Sequence, residues 1–277
     1  MAQVITVVLL DGTPKGLQII TVDNWNGQAF VIPRGKLNEI HEYDEMSRPG
    51  IYFLFGDGVE KEKVYIGQTN NLASRLSQHD TDRESEAWNK AICFAGHLDA
   101  GLPQYLESQA IGKARGAGRY EVLNVTHPIP ILTSQQRITA DTYLIKLETV
   151  LLLFGYKVFD EIPTQDNVSD EYSFSQGGAR GSGSLLDTGE FVVFKGSTAR
   201  KQTTDAYPAS SNRLRQELLE RKILIEKSDA LLEFSEDHVF SSPSGASNMI
   251  AGVATNGWDG WKDSNGRTLD ENVRKEK

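Results

Sequence analysis

At 277 residues the chain is long enough for two domains of ordinary size, and its apolar content of 39% is that of a globular protein. No apolar run approaches the length of a membrane span. The greasiest piece, Leu151-Leu152-Leu153-Phe154, is far too short. A net charge of −9 excludes a chain that is basic all over, so any polyanion contact must rest on local clusters of Lys and Arg.

Met1 to Leu10 lack a basic leader and a small-residue cleavage site, and are expected to form a strand and not a signal peptide. Strands are predicted over 3–10, 16–23 and 28–33, with turns at Asp11-Gly12-Thr13-Pro14 and Asn24-Trp25-Asn26-Gly27. Trp25 is read as a packing residue. A short helix over 36–42 would carry Leu37 and Ile40. Residues 1–47 are therefore expected to be a β-rich extension beside the next region.

That region holds two apolar runs, Ile51-Tyr52-Phe53-Leu54-Phe55 and Val64-Tyr65-Ile66-Gly67, around a Gly-rich, charged stretch. They read as a hairpin. Alternation puts Ile51, Phe53 and Phe55 on one face and Tyr52 and Leu54 on the other. Thr69, Asn70 and Asn71 are N-cap candidates for a helix that stacks Arg75 and His79 four residues apart. Asp80 to Glu86 reads as a solvated loop, since its acids lack the ordered ligand pattern of a calcium site. Residues 88–95 are expected to end in a third strand.

Leu102 to Ile111 predicts a helix with Pro103 in its first turn, Leu102, Leu106, Ala110 and Ile111 facing a core, and Glu107 as its central acid. Tyr120 to Asn124 is a short extended piece. Lys113, Arg115 and Arg119 form a local basic cluster near it. Leu144, Leu147, Leu151 and Phe154 predict a covering helix over 133–154. Cys93, the only cysteine, can form neither an internal disulfide nor a paired-thiolate zinc site; it is expected to be buried and inert, in a cytoplasmic protein.

The ordered set Gly50-Ile51-Tyr52, Tyr65-Ile66-Gly67, Arg75, His79, Glu107 and Asn124 resembles the GIY-YIG nuclease family over roughly residues 48–126. The resemblance implies an α/β (α+β) fold, with a three-stranded antiparallel sheet flanked by helices over 48–159. It implies hydrolysis of DNA phosphodiester bonds with Mg²⁺ or Mn²⁺ held by Glu107. Tyr65 would orient or deprotonate the water, with Tyr52 hydrogen-bonded nearby. An ordinary phenol titrates far above neutrality, so a basic Tyr65 would need the metal and Arg75 beside it. Arg75 would hold the phosphate, His79 would relay a proton or bind phosphate, and Asn124 would contact the phosphate or brace the site. Outside this pattern each of these residues would be an ordinary strand aromatic or helix-surface charge.

The Gly/Ser-rich run from Gln176 to Ser184 and the acids before it predict a flexible linker over 160–188. An accessory α+β domain is then expected over 189–277, with a strand over 190–197, a helix over 211–225 and another helix starting near Ser241-Ser242-Pro243-Ser244. That segment, with Asn256-Gly257-Trp258 and Trp261, resembles a domain of uncharacterised function appended to GIY-YIG nucleases and restriction-system proteins. Trp258 and Trp261 read as core residues on packing grounds and, by the resemblance, as a stacking surface for a nucleobase. The implied partner is DNA, whether single-stranded, branched or modified, with roles in restriction, defence or repair. The competing readings are a non-catalytic module that binds branched or modified DNA, and a ribonuclease.

Overall fold

Ile51, Phe53 and Phe55 do lie on one side of a strand and Tyr52 and Leu54 on the other, and both sides are buried. The computed structural model describes residues 2–57, 62–81, 88–96, 98, 101–124, 130–168, 170–205 and 207–275. The chain divides into two compact units, Met1–Glu161 and Ile162–Lys277.

The first unit contains β1 (Ile5–Leu9), β2 (Gln18–Val22), β3 (Gln28–Pro33), β4 (Gly50–Gly56), β5 (Lys63–Thr69), α1 (Leu72–Thr81), β6 (Lys90–Ala95), α2 (Leu102–Ala117), β7 (Glu121–Val122) and α3 (Ser134–Leu153). All seven strands join one sheet in the order β1-β2-β3-β6-β4-β5-β7. The expected antiparallel trio is present as β6-β4-β5. It does not stand alone. Six residues of β3 pair with β6, from Gln28 opposite Ala95 to Pro33 opposite Lys90, so the N-terminal strands continue the sheet. Local pattern marks these strands but not the sheet they join, because strand pairing is a long-range event. Only β7 runs parallel to its neighbour, β5.

One face of the sheet is covered by α2 and α3, through Leu102, Leu106, Ala110, Leu144, Leu147 and Leu151. Trp25 packs on this side, edge-on to Tyr143 with ring centres 5.2 Å apart, as a core residue. Thr133 caps α3 in a reciprocal capping box with Gln136. The other face is covered by α1 and by two 3₁₀ segments, Arg34–Glu42 and Asp44–Ser47, through Leu37, Ile40, Met46, Leu72 and Leu76. Cys93 sits beneath them fully buried and unpaired, and burial pushes its thiol well above the usual range. Asp82 to Glu86, His97 and Asp99 lie outside the described residues.

The second unit holds β8 (Tyr172–Gln176), β9 (Ala179–Leu185), β10 (Phe191–Val193), β11 (Thr198–Arg200), α4 (Ala209–Glu220), β12 (Leu224–Glu226), β13 (Leu231–Phe234), β14 (His238–Phe240), α5 (Pro243–Ala251), α6 (Gly257–Gly260) and α7 (Leu269–Val273). Its strands form two sheets, β14-β10-β9-β8 and β11-β13-β12.

The flexible linker expected over 160–188 is overturned by β8 and β9, which make a regular five-pair hairpin from Tyr172 opposite Gly183 to Gln176 opposite Ala179. Gly177 and Gly178 both take positive φ, 60° and 86°, as a two-residue hairpin turn of matching twist requires. The other two glycines lie where a side chain would collide: a Cβ on Gly181 would meet Ile250 at 2.3 Å, and one on Gly183 the Val192 carbonyl at 2.2 Å. Low-complexity composition here reflects close packing. The helix expected over 211–225 ends at Glu220, because Lys222 takes φ 58° and turns the chain into β12. α5 starts as expected, with Ser242 accepting from the Gly245 N–H and Pro243 in the first turn.

Candidate functional site

The site is built at the C-terminal end of β5. Gly67 faces the same side as Tyr65, and a Cβ there would lie 2.3 Å from the Tyr52 hydroxyl. The missing side chain lets the Tyr52 ring lie against the backbone of its neighbour strand, where Tyr52 is paired with Gly67. Gly50 is equally constrained, since a Cβ would lie 2.4 Å from the Phe94 carbonyl oxygen. These contacts give the glycines of both tripeptides a steric reason.

α1 follows directly, capped by Asn71, whose Oδ1 accepts the Ser74 N–H at 2.9 Å. It brings Arg75 and His79 over Tyr52. Arg75 Nε donates to the Tyr52 hydroxyl at 3.1 Å, and His79 Nε2 lies 2.9 Å from the same oxygen. Where His79 is neutral with its proton on Nδ1, Tyr52 donates to Nε2. Tyr65 completes the group, 6.1 Å from Tyr52 and 5.1 Å from His79 between ring centres, and it interacts with Arg75 as well.

Tyr52 is fully buried, and burial raises its phenol above the ordinary value, with Tyr65 adding to the shift and the Arg75 hydrogen bond opposing it. It stays neutral and out of solvent, and its hydroxyl contacts both Arg75 and His79. Tyr65 is only partly buried and is the phenol of the pair that solvent reaches. Arg75 holds its proton more firmly because of the bond to Tyr52.

Glu107 and Asn124 meet the other edge of the same strand. Beyond the two-residue β7, the edge of β5 would leave its backbone groups unpaired. The Asn124 amide takes over, accepting from the Ile66 N–H at 2.9 Å and donating to the Ile66 carbonyl. Glu107 Oε1 accepts from the Gln68 N–H at 3.2 Å. The carboxylate and the phenol–guanidinium–imidazole group therefore stand on two sides of residues 67 and 68. Asn124 is buried with its amide facing backbone, where it braces the strand edge.

Glu107 is buried, and its carboxylate is the hard oxygen donor here that would suit a divalent cation. Among the described residues no three His, Cys, Asp or Glu side chains gather into a metal site. One carboxylate completed by water and substrate oxygens is the usual Mg²⁺ arrangement.

Other expected contacts are placed differently. Arg115 donates to the Asn124 carbonyl and Arg119 Nε to the Asp160 carbonyl at 2.7 Å, so both are engaged with backbone. Lys113 is exposed on α2. Trp261 cannot stack on a nucleobase: it is fully buried, its ring 4.3 Å from that of Phe191, with its indole N–H donating to the Pro243 carbonyl at 3.0 Å. Trp258 carries the Arg274 guanidinium 3.5 Å above its ring, which covers one face. Trp261→Ala should cost about 3–5 kcal/mol and unfold the second unit at markedly lower temperature. Thermal denaturation followed by circular dichroism checks this, and an unchanged melting curve with weakened nucleic-acid binding would restore the stacking role.

Pattern reading missed the anchors of α1. Arg34 binds Asp80 at 2.8 Å and the Trp88 carbonyl at 3.1 Å, and His41 Nε2 lies 3.3 Å from the Ser77 hydroxyl. The partners are more than thirty residues apart in sequence, so no local signal marks them.

Compared with known families, residues 48–116 match the GIY-YIG catalytic domain. That match indicates a nuclease (hydrolase) family for this part of the chain. Residues 172–273 match a Domain of unknown function (DUF4357), so the chain joins a GIY-YIG catalytic domain to DUF4357. No curated protein and no solved structure matches the chain. Among the described residues no helix is long and apolar enough to cross a membrane.

Proposed function

We propose that the protein is a metal-dependent endonuclease that hydrolyses DNA phosphodiester bonds, directed to its substrate by the second unit and serving restriction, defence or repair. The reading is supported by the cluster of Tyr65, Arg75 and His79 around Tyr52, with Glu107 bonded to the Gln68 N–H of the strand that carries Tyr65.

Phosphodiester cleavage needs a positioned water, compensation of charge on the phosphate and help for the leaving oxygen. Arg75, held in aim by Tyr52, offsets the charge that develops on the phosphate. Tyr65 is the reachable phenol and orients the attacking water. His79, steered by the same Tyr52 hydroxyl, holds or passes a proton at its imidazole. Glu107 would hold Mg²⁺ or Mn²⁺, which when bound supplies positive charge against the phosphate. Asn124 keeps the β5 edge straight so that Glu107 and the opposite cluster stay in register.

The test is incubation of the full chain with plasmid, single-stranded DNA and RNA, with Mg²⁺, Mn²⁺ or EDTA. Nicking or linearisation of DNA that EDTA abolishes is the expected outcome. Cleavage of RNA alone, or DNA binding with no cleavage under any metal condition, overturns the reading.

A further inference from the structure

The second unit carries a cavity of about 630 Å³ beside the β8–β9 hairpin, and its lining is polar and cationic. Ser175 and Arg180 are cross-strand partners in the hairpin, so their side chains share one exposed face. Thr198 holds the Arg180 backbone on both sides, donating to its carbonyl at 3.1 Å and accepting its N–H at 2.8 Å. Across the cavity, Lys262 is tied to the open edge of β8 by two backbone bonds with Ser173, 2.7 and 2.9 Å long. Both cations thus stand on fixed backbone.

Neither Arg180 nor Lys262 forms an ion pair with a described residue. The ladder adds a donor between them. Backbone groups of alternate residues in an antiparallel strand point to the same side. Since Ser173 points its N–H outward to Lys262, Ser175 points its N–H outward too, into the cavity, where no described residue meets it. The one acid in the lining, Asp259, has its Oδ2 engaged by the Asn256 side-chain amide. Gly260 keeps the floor open, because a Cβ there would press on Phe174 at 2.7 Å.

Two cations without an ion pair to a described residue, an outward backbone N–H and the Ser175 hydroxyl around one groove are the donor set of a phosphate site, while the Ser173 hydroxyl is spent on the Lys262 carbonyl. In a chain of net charge −9, such cations fixed in one groove point to an anionic occupant. We propose that this groove in the second unit grips the phosphate backbone of a nucleic-acid strand. The choice of nucleic acid as carrier of the phosphate rests on the nuclease reading of the first unit; the anion site itself does not. The groove is polar and set by strand geometry, and it replaces the two tryptophans as the binding surface of this unit.

The experiment is fluorescence anisotropy of labelled single-stranded and duplex DNA with the full chain in EDTA, over a range of salt. Arg180→Ala combined with Lys262→Ala should weaken binding by about tenfold or more and flatten the dependence of log affinity on log salt by about 2. Arg180→Lys with Lys262 intact should keep most of the affinity, and the melting temperature of each variant reports folding separately. Unchanged affinity and salt slope in the double variant overturn the proposal. So does a groove that takes inorganic phosphate, in a competition assay, without displacing DNA. Cleavage is scored in parallel with metal: a chain that cleaves but binds DNA without the pair keeps the nuclease and loses the groove. A chain that never cleaves but loses binding with the pair keeps the groove and loses the nuclease.

Discussion

Glu107→Gln is expected to lower DNA cleavage by at least about a hundredfold while leaving the fold intact. The two roles of the carboxylate make the substitution informative. As a hydrogen-bond acceptor it closes the β5 edge at Gln68, and the amide oxygen of glutamine can do the same. As an anion it would hold a divalent cation, and the amide cannot replace it there. The melting temperature should stay within a few degrees of the parent, and the activity should no longer saturate with Mg²⁺. Glu107→Ala should lose cleavage and some stability together, because the Gln68 N–H is then left unpaired. A Gln variant that cleaves like the parent would reduce Glu107 to a strand-edge cap.

Gly67→Ala should act through packing. The added Cβ would lie 2.3 Å from the Tyr52 hydroxyl and 2.4 Å from the ring carbon that bears it. Tyr52 is fully buried, so its ring cannot move out into solvent, and the strand or the ring must shift. Overpacking of this kind costs about 1–3 kcal/mol. The displaced hydroxyl also releases Arg75 and His79, so cleavage should fall further than stability explains. Gly112→Ala and Gly116→Ala on α2 are the controls: a Cβ there meets nothing within 4 Å, and alanine in a helix should be neutral or stabilise by up to about 1 kcal/mol. Denaturant midpoints for the three variants and their nicking rates give both readouts. Equal behaviour of Gly67→Ala and the controls would remove the steric account of the tripeptide.

The site was legible in sequence to an uneven degree. Tyr52 and Tyr65 fall on strands because apolar and aromatic residues alternate around them, and Arg75 and His79 share a face because they are four apart. These are local rules. Which phenol is buried is not local: Tyr52 lies under α1 and between two neighbouring strands, whereas Tyr65 lies nearer the sheet edge, with β5 followed only by the short β7. Asn124 offered two readings in sequence, and the short β7 decides between them by leaving backbone groups of β5 for its amide to satisfy. In the second unit, glycine and serine content suggested flexibility, but the same residues permit a tight hairpin and close approach to Ile250 and Phe191. Composition reports the absence of side chains and not what fills the space.

The chain by itself determined the elements of the first unit, the order of its chemical groups and the two faces of its central strand, because each follows from periodicity and caps a few residues long. Only the tertiary structure decided that the N-terminal strands extend the same sheet, that Trp261 is core, and that Arg180 and Lys262 border one groove. Those outcomes depend on pairings between residues tens of positions apart, and on which surfaces remain after packing has covered the rest.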